Sequence, residues 1–98
     1  MAKIAVLGSG GFGLSLAVMT DAHNHDVTVW SAFADEIEML KKEREHKNLL
    51  PGVKINENID LITDISGIKD CDIVIFAIPS SFVRKIAVMA APFIKKDA

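Results

Sequence analysis

The sequence predicts an α/β chain built on a doubly wound parallel sheet, and three observations predict it. A short run of strand-forming residues, Lys3 to Leu7, enters a glycine turn and leaves it as a helical stretch. β-Branched runs then alternate with helical patterns along the chain, the arrangement that parallel strands joined by crossover helices require. The most apolar run, Ile73 to Ile78, lacks polar alternation and reads as a central strand buried on both faces.

The first strand and its turn carry the chemistry. Gly8, Gly10 and Gly13 fall at the G-x-G-x-x-G spacing of a dinucleotide-binding turn, and each has a physical task. Gly8 allows the tight turn off the strand, Gly10 lets the backbone approach a pyrophosphate, and Gly13 lets the following helix pack on the strand. The phosphates would rest on the free N–H groups at the helix N-terminus, where the helix dipole favours negative charge. Valine at Gly10 would fill the phosphates' volume and is expected also to forbid conformations open only to glycine. Glycines serve any tight loop, so the turn alone is weak evidence; its place between the first strand and a helix strengthens it. The expected class is therefore a Rossmann-type sheet, truncated relative to the usual strand number of about six.

The first helix spans Gly11 to Ala22, with Leu14, Ala17, Val18 and Met19 as its sheet-facing stripe. Asp21 to Asp26 is a polar connection, and Val27 to Trp30 is a second strand, β-branched and aromatic. His23 and His25 lie without a cysteine or third histidine beside them and read as a solvent-facing loop rather than a metal site. Trp30 reads as packing at the strand end. An acid at the end of this strand usually holds the adenine ribose of NAD, and an arginine nearby favours NADP. Ser31 and Ala32 stand there instead, with Phe33 available to stack on an adenine ring or pack on the domain edge. Asp35 and Glu36 come later and read first as first-turn acids complementing a helix dipole, with ribose contact as the alternative.

From Asp35 to Lys47 the pattern is a charged helix with Ile37 and Leu40 inward and pairs such as Glu38 with Lys42 on the solvated face. His46 falls at its end, with no catalytic role required. Leu49-Leu50-Pro51-Gly52 stops it, Lys54 to Asn58 connects, and Ile59 to Thr63 is a third strand. Asp64 caps a short helix over Ile65 to Lys69. Cys71, beside the apolar run, reads as an inert small hydrophobe. Pro79-Ser80-Ser81-Phe82 then leads into helical spacing over Val83 to Met89, with either serine able to cap it. That segment forms the second wall of the crevice, where sheet order reverses and ligands settle. No histidine–carboxylate relay or G-x-S-x-G turn supports a serine nucleophile there.

Composition bounds the function. A net charge of −2 with mixed signs offers no basic stripe for nucleic acid or membrane surfaces. The apolar runs are too short to span a membrane, and the chain passes from Met1 into a strand with no signal peptide visible. A single cysteine excludes an internal disulfide and suits the reducing cytoplasm, the expected location. At 98 residues the chain holds one modest core and four candidate strands, so a fragment, with residues 1–98 as the N-terminal part of a cofactor-binding domain, is expected.

The set KIAVLGSGGFG, HDVTVWS, the helix leading to LLPGVKI, then ITD and DCDIVIFAIPSSFVR resembles the N-terminal part of the NAD(P)-dependent glycerol-3-phosphate dehydrogenases. The glycine turn is generic; the LPG-V-K and DIVIFAIPS-x-x-x-R segments together are more specific. The resemblance implies pyrophosphate contact by Ser9, Gly10, Gly11, Phe12 and Gly13, with Phe12 where an aromatic is usual. It implies cofactor contact by Phe33 beside the adenosine, and by Pro79 and Phe82 on the second wall; Gly8 and Ser31 complete the expected site. Three residues depart from the pattern: Gly11 stands for a serine or asparagine, Ala32 for the arginine that supports NADP, and Leu49 for a tyrosine. NAD and NADP both stay open. The family's catalytic lysine and its helical substrate domain would lie beyond Ala98.

The resemblance implies an enzyme that interconverts dihydroxyacetone phosphate and sn-glycerol 3-phosphate with NAD(P)H, as a homodimer, with this stretch inactive alone. A dehydrogenase of β-hydroxy acids or ketopantoate, or a stand-alone nucleotide-binding module, remains the alternative. No nucleic-acid partner, membrane span or metal is expected.

Overall fold

The run Lys3–Leu7 forms β1, and its alternation sorts the core: Ile4 and Val6 face one side of the sheet, Ala5 and Leu7 the other. The glycine turn leads to α1 (Gly11–Ala22), then β2 (Asp26–Trp30), α2 (Ala34–Glu43), β3 (Asp60–Ile62), a 3₁₀ turn at Ile65–Ile68, β4 (Ile73–Phe76), α3 (Ser80–Ala90) and a 3₁₀ turn at Ala91–Phe93. The computed structural model describes residues 2–46, 52–78 and 80–94. All pairings are parallel, in the order β3-β2-β1-β4. Order therefore reverses at β1 and β4, whose C-terminal ends are level, Leu7 lying opposite both Trp30 and Phe76.

Helices cover both faces. Leu14 and Ala17 of α1 and Ile37 and Leu40 of α2 pack with Ile4, Val6, Val27, Val29 and Leu61 on one side. Ile86 and Ala90 of α3, with Ile68 and Cys71, pack with Ala5, Leu7 and Trp30 on the other. This is the doubly wound class, and its strand order is the one that seats ligands at the C-terminal edge. Burial pushes the Cys71 thiol up, so the sulfur stays protonated and packs as a small apolar group. Among the described residues no helix is long and apolar enough to cross a membrane, and no cluster of His, Cys, Asp and Glu could hold a metal.

Several local expectations are corrected. Met19 is exposed, so the inward stripe of α1 is Leu14 and Ala17 with Val18 half-buried. The charged helix stops at Glu43 instead of reaching Lys47. Arg44 takes the left-handed conformation (φ 52°), its N–H closes on Leu40 O at 2.8 Å, and its guanidinium donates to Asn56 O (3.2 Å) and Ile59 O (2.9 Å). Those two carbonyls hold the chain where a glycine would ordinarily be used. Lys47 and Leu49 to Pro51 lie outside the described residues. On the exposed face Glu38 meets Lys41 at 3.9 Å, a neighbour three residues on.

The third strand is shorter than Ile59 to Thr63, since Ile59 turns inward as core and Trp30 Nε1–H claims Thr63 O at 3.0 Å. Asp64 does cap, accepting from Ser66 N (3.0 Å) and Ser66 Oγ (2.8 Å), although the turn is 3₁₀. His25 is half-buried and its Nδ1 accepts Ala2 N–H at 3.1 Å, so it pins the start of β1 rather than facing solvent only. The order β3-β2-β1-β4 is the one the alternation of strands and helices predicts, and of β4 only the expected burial on both faces is corrected. β4 stands at the edge of the described sheet with Ile73 45% exposed, because β1 flanks it on one side only.

Candidate functional site

The site grows from the end of β1. Gly8 takes φ +130°, a conformation costly for any residue with a side chain, and its N–H donates to Trp30 O at 2.8 Å. A Cβ there would collide with the Ala77 carbonyl, so the turn and the exit of β4 are in backbone contact. Ala77 N–H in turn donates to Leu7 O at 2.9 Å. At Gly13 a Cβ would lie 2.6 Å from Gly8 O and 3.2 Å from Ala77 Cβ, which is how the missing side chain admits α1 against the strand ends.

Gly10 is different. It is the N-cap of α1, in extended backbone (φ −72°, ψ 178°), and a Cβ there would meet nothing within 4 Å. The expectation that valine is conformationally forbidden here is thereby corrected, since any residue adopts this backbone. The space beside Gly10 is open, and Gly10 brings no side-chain acceptor to the first-turn N–H groups of α1. A helix N-terminus of that kind, facing open space, can hold an anion.

Two hollows flank the turn. The larger, about 630 Å³, has Gly8, Ser9 and Gly10 at its floor, and Trp30, Ser31, Ala32, Phe33 and Glu36 along one wall. Ala77, Ile78, Phe82, Lys85, Ile86 and Met89 form the other wall. Its volume lies within the range of small-molecule sites, and its walls are mostly apolar. The smaller, about 330 Å³, is bounded by Gly10 to Gly13 and by Phe76, Ala77 and Ile78.

Of the residues the sequence nominates, Gly8, Ser9, Gly10, Ser31, Phe33 and Phe82 thus meet around the larger hollow, and Gly10, Gly11, Phe12 and Gly13 around the smaller. Pro79 lies outside the described residues. Phe12, Phe33 and Phe82 are all largely exposed, so Phe33 is not packed on a domain edge. Ser31 is buried and its Oγ accepts Phe33 N–H at 3.1 Å, fixing the loop that lifts Phe33 to the rim. Trp30 both packs and lines the wall.

Sequence reasoning missed the role of Glu36. Its carboxylate reaches back to the turn, where Ser9 Oγ donates to Oε1, and its Oε2 lies 3.5 Å from Nε2 of the buried His46. Ser9 itself is buried. The only signal for this was the position of Glu36 in the first turn of α2, which suits a helix-dipole role equally. Lys85, Ile86 and Met89 were missed as well, although they follow Phe82 at helical spacing on one face of α3.

Residues 3–98 match the family described as the N-terminus of NAD-dependent glycerol-3-phosphate dehydrogenase. The chain belongs to this family. That makes it an NAD(P)-binding stretch. Among its curated relatives, a glycerol-3-phosphate dehydrogenase [NAD(P)+] of Agathobacter rectalis is 42% identical over 97 residues, covering 98% of this chain and 29% of the relative. A second, from Lactobacillus delbrueckii subsp. bulgaricus, is 48% identical over 95 residues, covering 96% of this chain and 28% of the relative.

The chain thus spans under a third of the length of these relatives. In three dimensions it resembles the glycerol-3-phosphate dehydrogenase of Coxiella burnetii, with a TM-score of 0.91 at 21% identity over 99% of this chain and 30% of that one. A putative 2-dehydropantoate 2-reductase of Enterococcus faecalis shares the fold as well, with a TM-score of 0.74 at 20% identity over 98% of this chain and 31% of that one. The fold alone is therefore common to dehydrogenases of different substrates.

Proposed function

We propose that residues 1–98 are the N-terminal part of the NAD(P)-binding domain of a cytoplasmic, homodimeric enzyme. That enzyme interconverts dihydroxyacetone phosphate and sn-glycerol 3-phosphate, and its substrate domain lies further along the chain. The observation that carries the cofactor reading is the open space at Gly10, on the N-terminus of α1, at the point where sheet order reverses. Support for the substrate comes from the names of the relatives and from the sequence resemblance.

The residues divide the work. The first-turn N–H groups of α1, over Gly11 to Gly13, donate to the pyrophosphate, and the absent Cβ of Gly10 leaves room for it. Ser31 and Phe33 attend the adenosine from the end of β2. Phe12 and Phe82 border the approach to the reactive ring from the two sides of the turn; the contact expected of Pro79 falls outside the described residues. The mainly apolar walls keep water from the flat faces of the ligand. The cofactor, when bound, supplies or accepts the hydride at the carbonyl carbon. The proton and the polarised oxygen are handled by a lysine beyond this stretch.

Calorimetric titration of NADH and NADPH onto the full-length enzyme, paired with thermal melts, tests the reading. Gly10→Val is expected to weaken both nucleotides by at least about tenfold through a clash with the pyrophosphate, while melting cooperatively. If G10V bound both as tightly as the parent, the pyrophosphate would not rest on this turn.

A further inference from the structure

We infer that Glu36 is a positioning residue for the glycine turn. By accepting from Ser9 Oγ it locks the anion-binding end of α1 to the start of α2, so that a nucleotide meets a cradle already in shape. The inference rests on the cofactor reading above and adds to it the side chain that holds the floor of the hollow in place.

The turn needs such an anchor because three of its four residues, Gly8, Gly10 and Gly11, carry no side chain. Gly8 is fixed from the strand side, its N–H on Trp30 O at 2.8 Å. Gly10 brings no side-chain cap to the first turn of α1. Ser9 stands between them, buried, and its hydroxyl donates to Glu36 Oε1. A hydroxyl on a carboxylate is a charge-assisted bond, roughly twice as strong as one between neutral groups.

The far end of the link is equally fixed. Glu36 lies in the first turn of α2, and Ile37 N–H closes that turn on Phe33 O at 3.1 Å. Phe33 N–H in turn donates to Ser31 Oγ at 3.1 Å, at the end of β2. The bond from Ser9 to Glu36, 27 positions on, therefore joins the floor of the larger hollow to the wall that carries Phe33. Backbone N–H groups bind an anion well only when they already point at it, and a turn that must be ordered on binding takes that cost out of the affinity. The pyrophosphate and adenine are common to NADH and NADPH, so the link serves both alike.

The test is calorimetric titration of NADH and NADPH onto the full-length protein, with a thermal melt for each variant. Ser9→Ala is expected to weaken both nucleotides by the same factor, about three- to tenfold, leaving their ratio unchanged. Glu36→Ala is expected to cost about as much, and the double variant no more than the weaker single one, since either change alone breaks the bond. Glu36→Gln keeps an acceptor for the hydroxyl and is expected to stay within about threefold of the parent. Ser9→Ala removes one oxygen only, so it stays informative should E36A fold poorly. Parent-like affinity in S9A, losses that add in the double variant, or E36Q as weak as E36A would overturn the inference while leaving the cofactor reading intact. Binding of neither nucleotide by the parent would overturn both.

Discussion

At the residue scale the three glycines separate two kinds of requirement. Gly13 is confined by the protein: its Cβ would press within 2.6 Å of the Gly8 carbonyl. Gly13→Val is therefore expected to cost about 1–3 kcal/mol or more of folding stability as the helix is forced off the strand ends, seen as a lowered Tm. Gly10 is bounded by open space, and Gly10→Val is expected to cost folding no more than about 1 kcal/mol, the difference between glycine and a poor N-cap. Equal losses of Tm in the two variants would contradict this division. The glycines were legible in the sequence because their spacing is local and their task is steric. Glu36 was not, because its reach to Ser9 depends on how α2 is carried back over the turn, which no local pattern encodes. Phe33 and Phe82 were legible as exposed aromatics beside strand ends, and both line the hollow.

At the element scale, the ends of the helices hold the surprises. All four strands, the first helix and the sheet order follow from the alternation of β-branched and helical runs, whereas the stop of α2 follows from tertiary bonds made by Arg44. Arg44→Ala keeps the left-handed strain and loses both bonds, so a loss of about 1–3 kcal/mol is expected in denaturant unfolding. Arg44→Gly relieves the strain and should recover roughly 0.5–1 kcal/mol of that loss. If alanine and glycine were equivalent, the backbone conformation would not matter. The 3₁₀ turn after β3 has its own pH signature. The hydroxyl and then the N–H of Ser66 hold the Asp64 carboxyl below the ordinary aspartate range. A depressed folded value means that the contribution is present in full above the unfolded value, near 4, and is lost as pH falls through the folded one. The Tm difference between parent and Asp64→Asn should accordingly be constant near neutrality and shrink in acid. A difference that grew on acidification would show that Ser66 does not stabilise the ionised form.

At the scale of the whole molecule, the sheet is asymmetric. β3 is three residues long, while β4 is an edge strand with half-exposed apolar residues. Such an edge is a template for pairing. A preparation ending at Ala98 is expected to self-associate as concentration rises in sedimentation and to show no reduction of dihydroxyacetone phosphate with NADH or NADPH. A monomer at high concentration, or turnover free of full-length contaminant, would contradict the respective expectation. The edge position follows from the order 3-2-1-4 that the alternation predicts; what was not legible is how far the apolar run would be left exposed there, since an unbroken run looks the same whether or not a further strand covers it. The contact of Gly8 with Ala77 has one more consequence, concerning the order in which the chain is made. β1 meets β4 across most of the described length, as the bond from Lys3 N–H to Asp72, 69 positions away, illustrates. A nascent chain leaving the ribosome carries the glycine turn from the outset, but the opposing wall only after Ala77 and Ile78 have emerged. Until then the growing polypeptide has one wall of the hollow, so on the proposed cofactor reading it is expected not to bind nucleotide. On that reading the nucleotide is expected to stabilise the finished sheet rather than to template the early pairing of β1 with β2 and β3.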